Sequence, residues 1–281
     1  MRSRQMKKLL LLCALAHLTT PAVAASRIVS LAPNLTELAF VAGAGDKVIG
    51  TAEYSDYPER AKAIPRIGDA FRVDYERILA LQPDAVLAWE PGTPHATVER
   101  LRTLRLAVST IRTRSLADIG TAVRDIGAIA GTPQIAGREA DRFERAIASL
   151  REEYSARTPV TVFLQINDQP LYTVNGTQIM SEVLALCGGV NVFGDLNELA
   201  PQVGVEAVIA ANPEVIISTG AADAPAFVQW RRWPQIRAVG AGNLYAMSPD
   251  NLARSTTRLA TGAADLCRTL QTARERLRRP N

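Results

Sequence analysis

The sequence predicts an α/β protein of two Rossmann-like lobes joined by a single long helix, and three observations carry that reading. First, the segment 75–89 (Tyr75-Glu76-Arg77-Ile78-Leu79-Ala80-Leu81-Gln82-Pro83-Asp84 and the apolar run to Trp89) returns at 205–219 (Val205-Glu206-Ala207-Val208-Ile209-Ala210-Ala211-Asn212-Pro213-Glu214 and the run to Thr219). Each copy places a Glu in the first turn of a short helix, stops it at a Pro, adds an acidic residue and enters an apolar strand. Second, from Arg27 onward apolar β-rich runs alternate with amphipathic helical patterns, the order expected of parallel sheets covered by helices. Third, residues 134–155 form one charged amphipathic run between the copies, with Ile135, Phe143, Ile147, Leu150 and Tyr154 near helical spacing. That run makes a helix of about 22 residues, roughly 33 Å long, enough to join two lobes. An ordinary peripheral helix is the alternative.

In the first lobe, 26–132, residues 28–31 read as a strand, 34–42 as a helix and 47–51 as a strand. The first repeat copy supplies helix and strand, followed by helix 98–104, strand 107–111 and helix 116–130, closed by Gly131-Thr132-Pro133. The linking helix occupies 133–157. In the second lobe, 158–281, residues 160–166 are a strand and 179–186 a helix ending at Cys187-Gly188-Gly189. The second copy, a late strand at 243–247 and a closing helix at 257–277 complete it. A mature length of about 256 residues suffices for two separate cores.

Residues 1–25 have the pattern of a cleaved export signal: Arg2, Arg4, Lys7 and Lys8, an apolar run at 9–18, and small residues up to Ala24-Ala25. The run is half the length of a membrane span. Cys13 follows Leu12 rather than a small residue, which argues against a lipoprotein, so the expected location is the periplasm. The segment holds four of the 32 basic residues, so 28 basic face 28 acidic residues in the mature chain. That balance gives no electrostatic footprint for nucleic acid. Arg274, Arg276, Arg278 and Arg279 read as a solvated helix end, where cations suit the dipole. Cys187 and Cys267 survive processing and most simply pair in an oxidising compartment, with two buried thiols as the alternative.

The chain is poor in catalytic inventory. His95, in a Pro/Gly loop, is the one mature histidine, and no glycine-rich phosphate loop follows a strand. Glu76 and Glu206 could pair as acid and base, but Glu in a first helical turn is also favoured by the dipole alone. Binding in a cleft between lobes is the stronger class. Residues after the carboxyl ends of strands are its candidates, namely Tyr54, Asp56, Tyr57, Trp89, Tyr172, Asp250 and Arg254. Trp230 and Trp233 are expected to cover the second core.

Four motifs carry a resemblance: Arg27-Ile28-Val29-Ser30-Leu31-Ala32-Pro33-Asn34-Leu35-Thr36-Glu37-Leu38, Tyr54-Ser55-Asp56-Tyr57-Pro58, the first repeat copy, and Leu184-Ala185-Leu186-Cys187-Gly188-Gly189. Through them the chain resembles the cobalamin-binding branch of the helical-backbone (class III) substrate-binding proteins of ABC importers, whose members bind siderophores, haem and corrinoids. The resemblance implies a non-enzymatic monomer with no cofactor, a shallow cleft, little hinge closure, and delivery of a corrinoid to a permease dimer with ATPase subunits. It implies ligand contacts at Tyr54, Trp89 and the segment Asp250, Asn251, Leu252, Ala253 and Arg254. It also implies permease docking through Glu76 and Glu206, and a disulfide between Cys187 and Cys267. Aromatic walls of the family's corrin site are missing at Ala70, Ala200 and Asn251-Leu252, with Phe71 a partial replacement. Within the family, a siderophore or haem ligand is the alternative, with Arg66, Arg72 and Arg254 as its cations. A secreted carboxylate hydrolase is the alternative of another class.

Overall fold

The computed structural model describes residues 24–69, 72–219 and 225–278. The expected export segment, apart from Ala24 and Ala25, lies outside the described residues, as do Ala70, Phe71 and Arg279. Before the long helix the elements are β1 (Ile28–Ser30), α1 (Pro33–Val41), β2 (Val48–Thr51), α2 (Tyr75–Ala80), β3 (Ala85–Glu90), α3 (His95–Thr103), β4 (Val108–Arg112) and α4 (Leu116–Ala130). Helix α5 spans Pro133–Tyr154. After it come β5 (Val160–Gln165), the hairpin β6 (Asn167–Asp168) and β7 (Leu171–Tyr172), α6 (Ile179–Leu186), β8 (Gly189–Asn191), α7 (Val205–Ala211) and β9 (Val215–Ser218). The chain ends with α8 (Pro225–Val228), α9 (Arg237–Gly240), β10 (Leu244–Ala246), α10 (Pro249–Leu252) and α11 (Leu259–Arg278).

Each lobe holds a four-stranded parallel sheet, ordered β2-β1-β3-β4 in the first and β8-β5-β9-β10 in the second. The two orders are the same once β1 is matched to β5 and β3 to β9. The repeat explains itself in this frame. Gln82 and Asn212 end the two helices in the left-handed region, at φ 46° and 43°. Asp84 then accepts from the backbone N–H of Ser26 and Arg27 at the start of β1, and Glu214 accepts from the N–H of Thr161 at the start of β5. The acid after each Pro therefore fastens the neighbouring strand, a local device that the fold uses twice.

Side chains alternate across each sheet, as period-two strands require. In the first lobe Ile28, Ala85 and Leu87 face one way and Val29, Val86 and Ala88 the other. The packing departs from the expectation of two separate cores. One continuous cluster takes the inner faces of both sheets, joining Ile28, Leu87 and Ile126 to Val162, Ile217 and Leu266 through Ala136, Ala140, Phe143 and Ile147 of α5. Smaller clusters cover the outer faces, under α2 and α3 in the first lobe and under α7 and Trp230 in the second. Two small residues of α5, Ala136 and Ala140, are fully buried in the continuous cluster. A Cβ on Gly127 of α4 would lie 2.2 Å from that of Ala136, so the two helices meet there with no room to spare. Ile135, on the apolar stripe of the long helix, is 40% exposed.

Cys187, at the end of α6, and Cys267, on α11, form a buried disulfide. Arg274 is not part of a solvated helix end. It is buried, and its guanidinium donates to the carbonyls of Thr158, Cys187 and Gly188. Carbonyls left over at the end of α6 want a donor, and a long side chain one helix away supplies it. Burial, with Arg157 and Arg278 nearby, pulls its pKa below the usual arginine value. Arg276 also has a partner, the Gly242 carbonyl.

Candidate functional site

Trp89 is next to last in β3, near its carboxyl end, and stands where the lobes meet. Its indole N–H donates to Thr113 Oγ1 at 2.7 Å, and its backbone N–H donates to Thr93 Oγ1 at 2.9 Å. The loop after β3 folds over the ring so closely that a Cβ on Gly92 would lie 2.0 Å from it, which leaves glycine as the residue that fits. The indole is thereby fixed in position, and three cavities share it as a wall.

One cavity, of about 460 Å³, lies within the first lobe and is bounded by Leu31, Pro33, Tyr54, Val73, Trp89 and Pro94. A second, of about 330 Å³, is bounded by Pro33, Asn34 and Trp89 of the first lobe and Asp250, Ala253 and Arg254 of the second. A third, also of about 330 Å³, runs between Trp89, Thr113 and Arg114 on one side and Gln178, Leu199 and Ala253 on the other. Together they make a mostly apolar cleft at the meeting of the lobes, the usual form of a small-molecule site.

The structure brings Tyr54, Trp89, Asp250, Ala253 and Arg254 to this cleft. Tyr54 is 77% exposed and holds φ 64°, a left-handed conformation that is uncommon for an aromatic residue and concentrates at binding sites. Asn251 lines a different cavity, with Tyr245 and Arg268. Leu252 is fully buried in the shared core, because the single turn of α10 points it inward. Tyr172 lines none of these cavities; it sits in β7 and bridges to Gln202. His95 opens α3 rather than a loop, and its side chain is exposed beside Glu99. Trp230 is buried edge-on against Phe163 and donates to Gln165 Oε1, whereas Trp233 is partly exposed.

Sequence reasoning missed the charge network that crosses the cleft. Glu37 of α1 is 1% exposed and takes a two-pronged contact from Arg258, Nε to Oε1 and Nη2 to Oε2, both at 2.8 Å. The Arg258 guanidinium lies 4.2 Å over the ring of Tyr57. Arg254 reaches Asp56 of the first lobe at 2.8 Å and Asp250 of its own at 3.2 Å. The hydrogen bond from Arg254 outweighs partial burial and holds the Asp56 carboxyl below the usual aspartate range. Arg258 is raised above the usual arginine value: burial opposes its charge, and the bonds to Glu37 more than offset that. A charged Glu at an otherwise apolar helical position, Leu35-Thr36-Glu37-Leu38, was the available signal.

Glu76 and Glu206 line none of these cavities. Each is exposed in the first turn of its helix, α2 or α7, on the sheet face turned away from the shared core. Asp74 caps α2 by accepting from the Arg77 N–H.

Residues 28–251 match the family model described as periplasmic binding protein. The chain is 34% identical to the vitamin B12-binding protein of Vibrio cholerae over 252 residues, covering 89% of this chain and 91% of that one. It is 35% identical to the protein of the same description from Yersinia pestis, covering 89% and 88%. The crystal structure of the periplasmic vitamin B12 binding protein BtuF of Vibrio cholerae superposes with a TM-score of 0.84, covering 89% of this chain and 98% of that one at 34% identity. The periplasmic heme-binding protein RhuT of Roseiflexus sp. RS-1 superposes at 0.77 and 25% identity, over 89% and 99%. With a family match across most of its length and relatives above 30% identity, the chain is a member of the periplasmic binding protein family.

Proposed function

We propose that this chain is the periplasmic substrate-binding protein of a corrinoid ABC importer. It takes cobalamin or a related corrinoid into the cleft around Trp89, through Tyr54, Trp89, Asp250, Ala253 and Arg254, and hands it to a membrane permease. The observation that carries the reading is the pairing of the cleft's cations. Arg254 is engaged by Asp56 and Asp250, Arg258 by Glu37, and Arg114 by Glu90 at 3.2 Å. A cleft with apolar walls and neutralised guanidinium groups suits a large, amide-edged macrocycle better than a ligand recognised by its carboxylates. The names of the relatives in Vibrio and Yersinia point the same way.

The family alternative, a siderophore or haem, rests on the fold and on Arg66 and Arg72. Arg66 donates to Thr51 Oγ1 and the Ala52 carbonyl, which turns it toward its own lobe. The hydrolase alternative needs a carboxyl group in the cleft that keeps its proton near neutral pH. Asp56 has the opposite bias. In the docking step Glu76 and Glu206, one on each lobe, present matched carboxylates to basic residues of the two permease subunits.

Calorimetry of the mature protein with cyanocobalamin, cobinamide and a ferric siderophore tests the ligand class. Heat with a corrinoid is expected, and none with either corrinoid would sink the proposal.

A further inference from the structure

Two of the ion pairs that cross between the lobes differ in kind. Glu37–Arg258 is two-pronged, with Glu37 buried and Arg258 covered by Tyr57. Asp56–Arg254 is a single contact, and the Asp56 side chain is 52% exposed. Arg254 also has Asp250 at 3.2 Å, and the buried Glu37 carboxylate at 4.0 Å. It can therefore give up Asp56 and keep its charge compensated. Arg254 lines the inter-lobe cavity that also holds Trp89. Its reach to Asp56 carries a wall residue of that cavity across to the other lobe.

We propose that the Asp56–Arg254 pair is an inter-lobe gate at this end of the cleft, which an arriving ligand displaces by taking the Arg254 guanidinium, while the Glu37–Arg258 pair stays made and holds the lobes in position. This rests on the corrinoid reading of the cleft. In it Asp56 is a positioning residue that competes with the ligand, a role distinct from a ligand contact. The shared core leaves the lobes little freedom to part, so the gate works by a side-chain swing of Arg254.

The charged groups that face Asp56 are Arg254, Arg258 and, on the short turn 59–63, Lys62. Asp56 thus reports its own partner, and the test follows its carboxyl carbon by NMR across an acid titration. Without ligand, Asp56 should titrate below the usual aspartate range. With saturating cyanocobalamin, its titration should move up toward that range as Arg254 leaves. In stopped-flow binding of cyanocobalamin, Asp56→Asn should associate about two- to fivefold faster than wild type, the factor expected on removing one exposed ion pair. Glu37→Gln should show no such gain. An Asp56 titration unmoved by bound cyanocobalamin, or an unchanged association rate in Asp56→Asn, would overturn the gate alone. A wild-type protein that binds no corrinoid would overturn the corrinoid reading and the gate with it.

Discussion

Replacing Arg258 by Met should be among the most damaging single changes outside the apolar core. The substitution removes two hydrogen bonds of 2.8 Å and leaves the Glu37 carboxylate, 1% exposed, with Arg254 at 4.0 Å as its remaining counter-charge. Removing one partner of a buried ion pair costs about 3–5 kcal/mol. Because the Arg258 side chain is 20% exposed, water can enter where it stood, which lowers the expected cost to about 2–4 kcal/mol. For a chain of this size that is a fall in melting temperature of about 5–15 °C. Glu37→Met should cost less, since Arg258 keeps Asp250 within 4.0 Å and an opening to solvent. The double variant Glu37→Met/Arg258→Met puts two apolar chains in the gap and should recover most of the loss. The coupling energy from the cycle should be at least about 1 kcal/mol. Urea unfolding of the four proteins, followed by circular dichroism, reads all of these quantities. An Arg258→Met variant within about 0.5 kcal/mol of wild type, or an additive cycle, would refute the buried-pair argument.

Trp89→Ala opens the wall common to all three cavities and should weaken corrinoid binding about 30-fold or more, read by calorimetry, with the fold retained. Reversing Glu76 and Glu206 to Lys together should abolish transporter-dependent uptake while ligand affinity stays as it was; unimpaired uptake would remove the docking role. Acid sensitivity should come in part from Asp84. Burial opposes its charge, but hydrogen bonds from Ser26 and Arg27 win and place its pKa below the usual range. A folded value below the unfolded one means the stabilisation is complete above the unfolded pKa and is lost as pH falls through the folded one. Asp84→Asn should therefore flatten the acid end of the stability curve, and an unchanged curve would show that Asp84 does not contribute.

The sheet pattern, the long helix and the repeat were legible because they rest on local signals. Helices 116–130 and 179–186 begin and end where their periodicity and capping residues place them. Strand β8, Gly189–Asn191, was not legible, since three residues that begin on the second glycine of Gly188-Gly189 carry no period and pair only through their register with β5. The shared core was missed for a similar reason. Ala136 and Ala140 look unremarkable in sequence, and only the approach of α4 makes them contacts. At the site, Tyr54, Trp89 and Arg254 could be placed from their position after strands. The partners of Arg254 and Arg258 could not, because Asp56 and Glu37 lie 198 and 221 residues away.

The continuous core beneath both sheets bears on how the chain folds. A fragment cut near Gly131 would keep its sheet, with α1 and α4 over the inner face, but leave the side of α4 that packs against α5, at Gly120 and Gly127, open to water. Each half needs α5 to finish burying its helices, α4 in the first and α6 and α11 in the second. The two copies of the repeat therefore belong to one cooperative folding unit, so the chain should unfold in a single transition and neither half should persist alone.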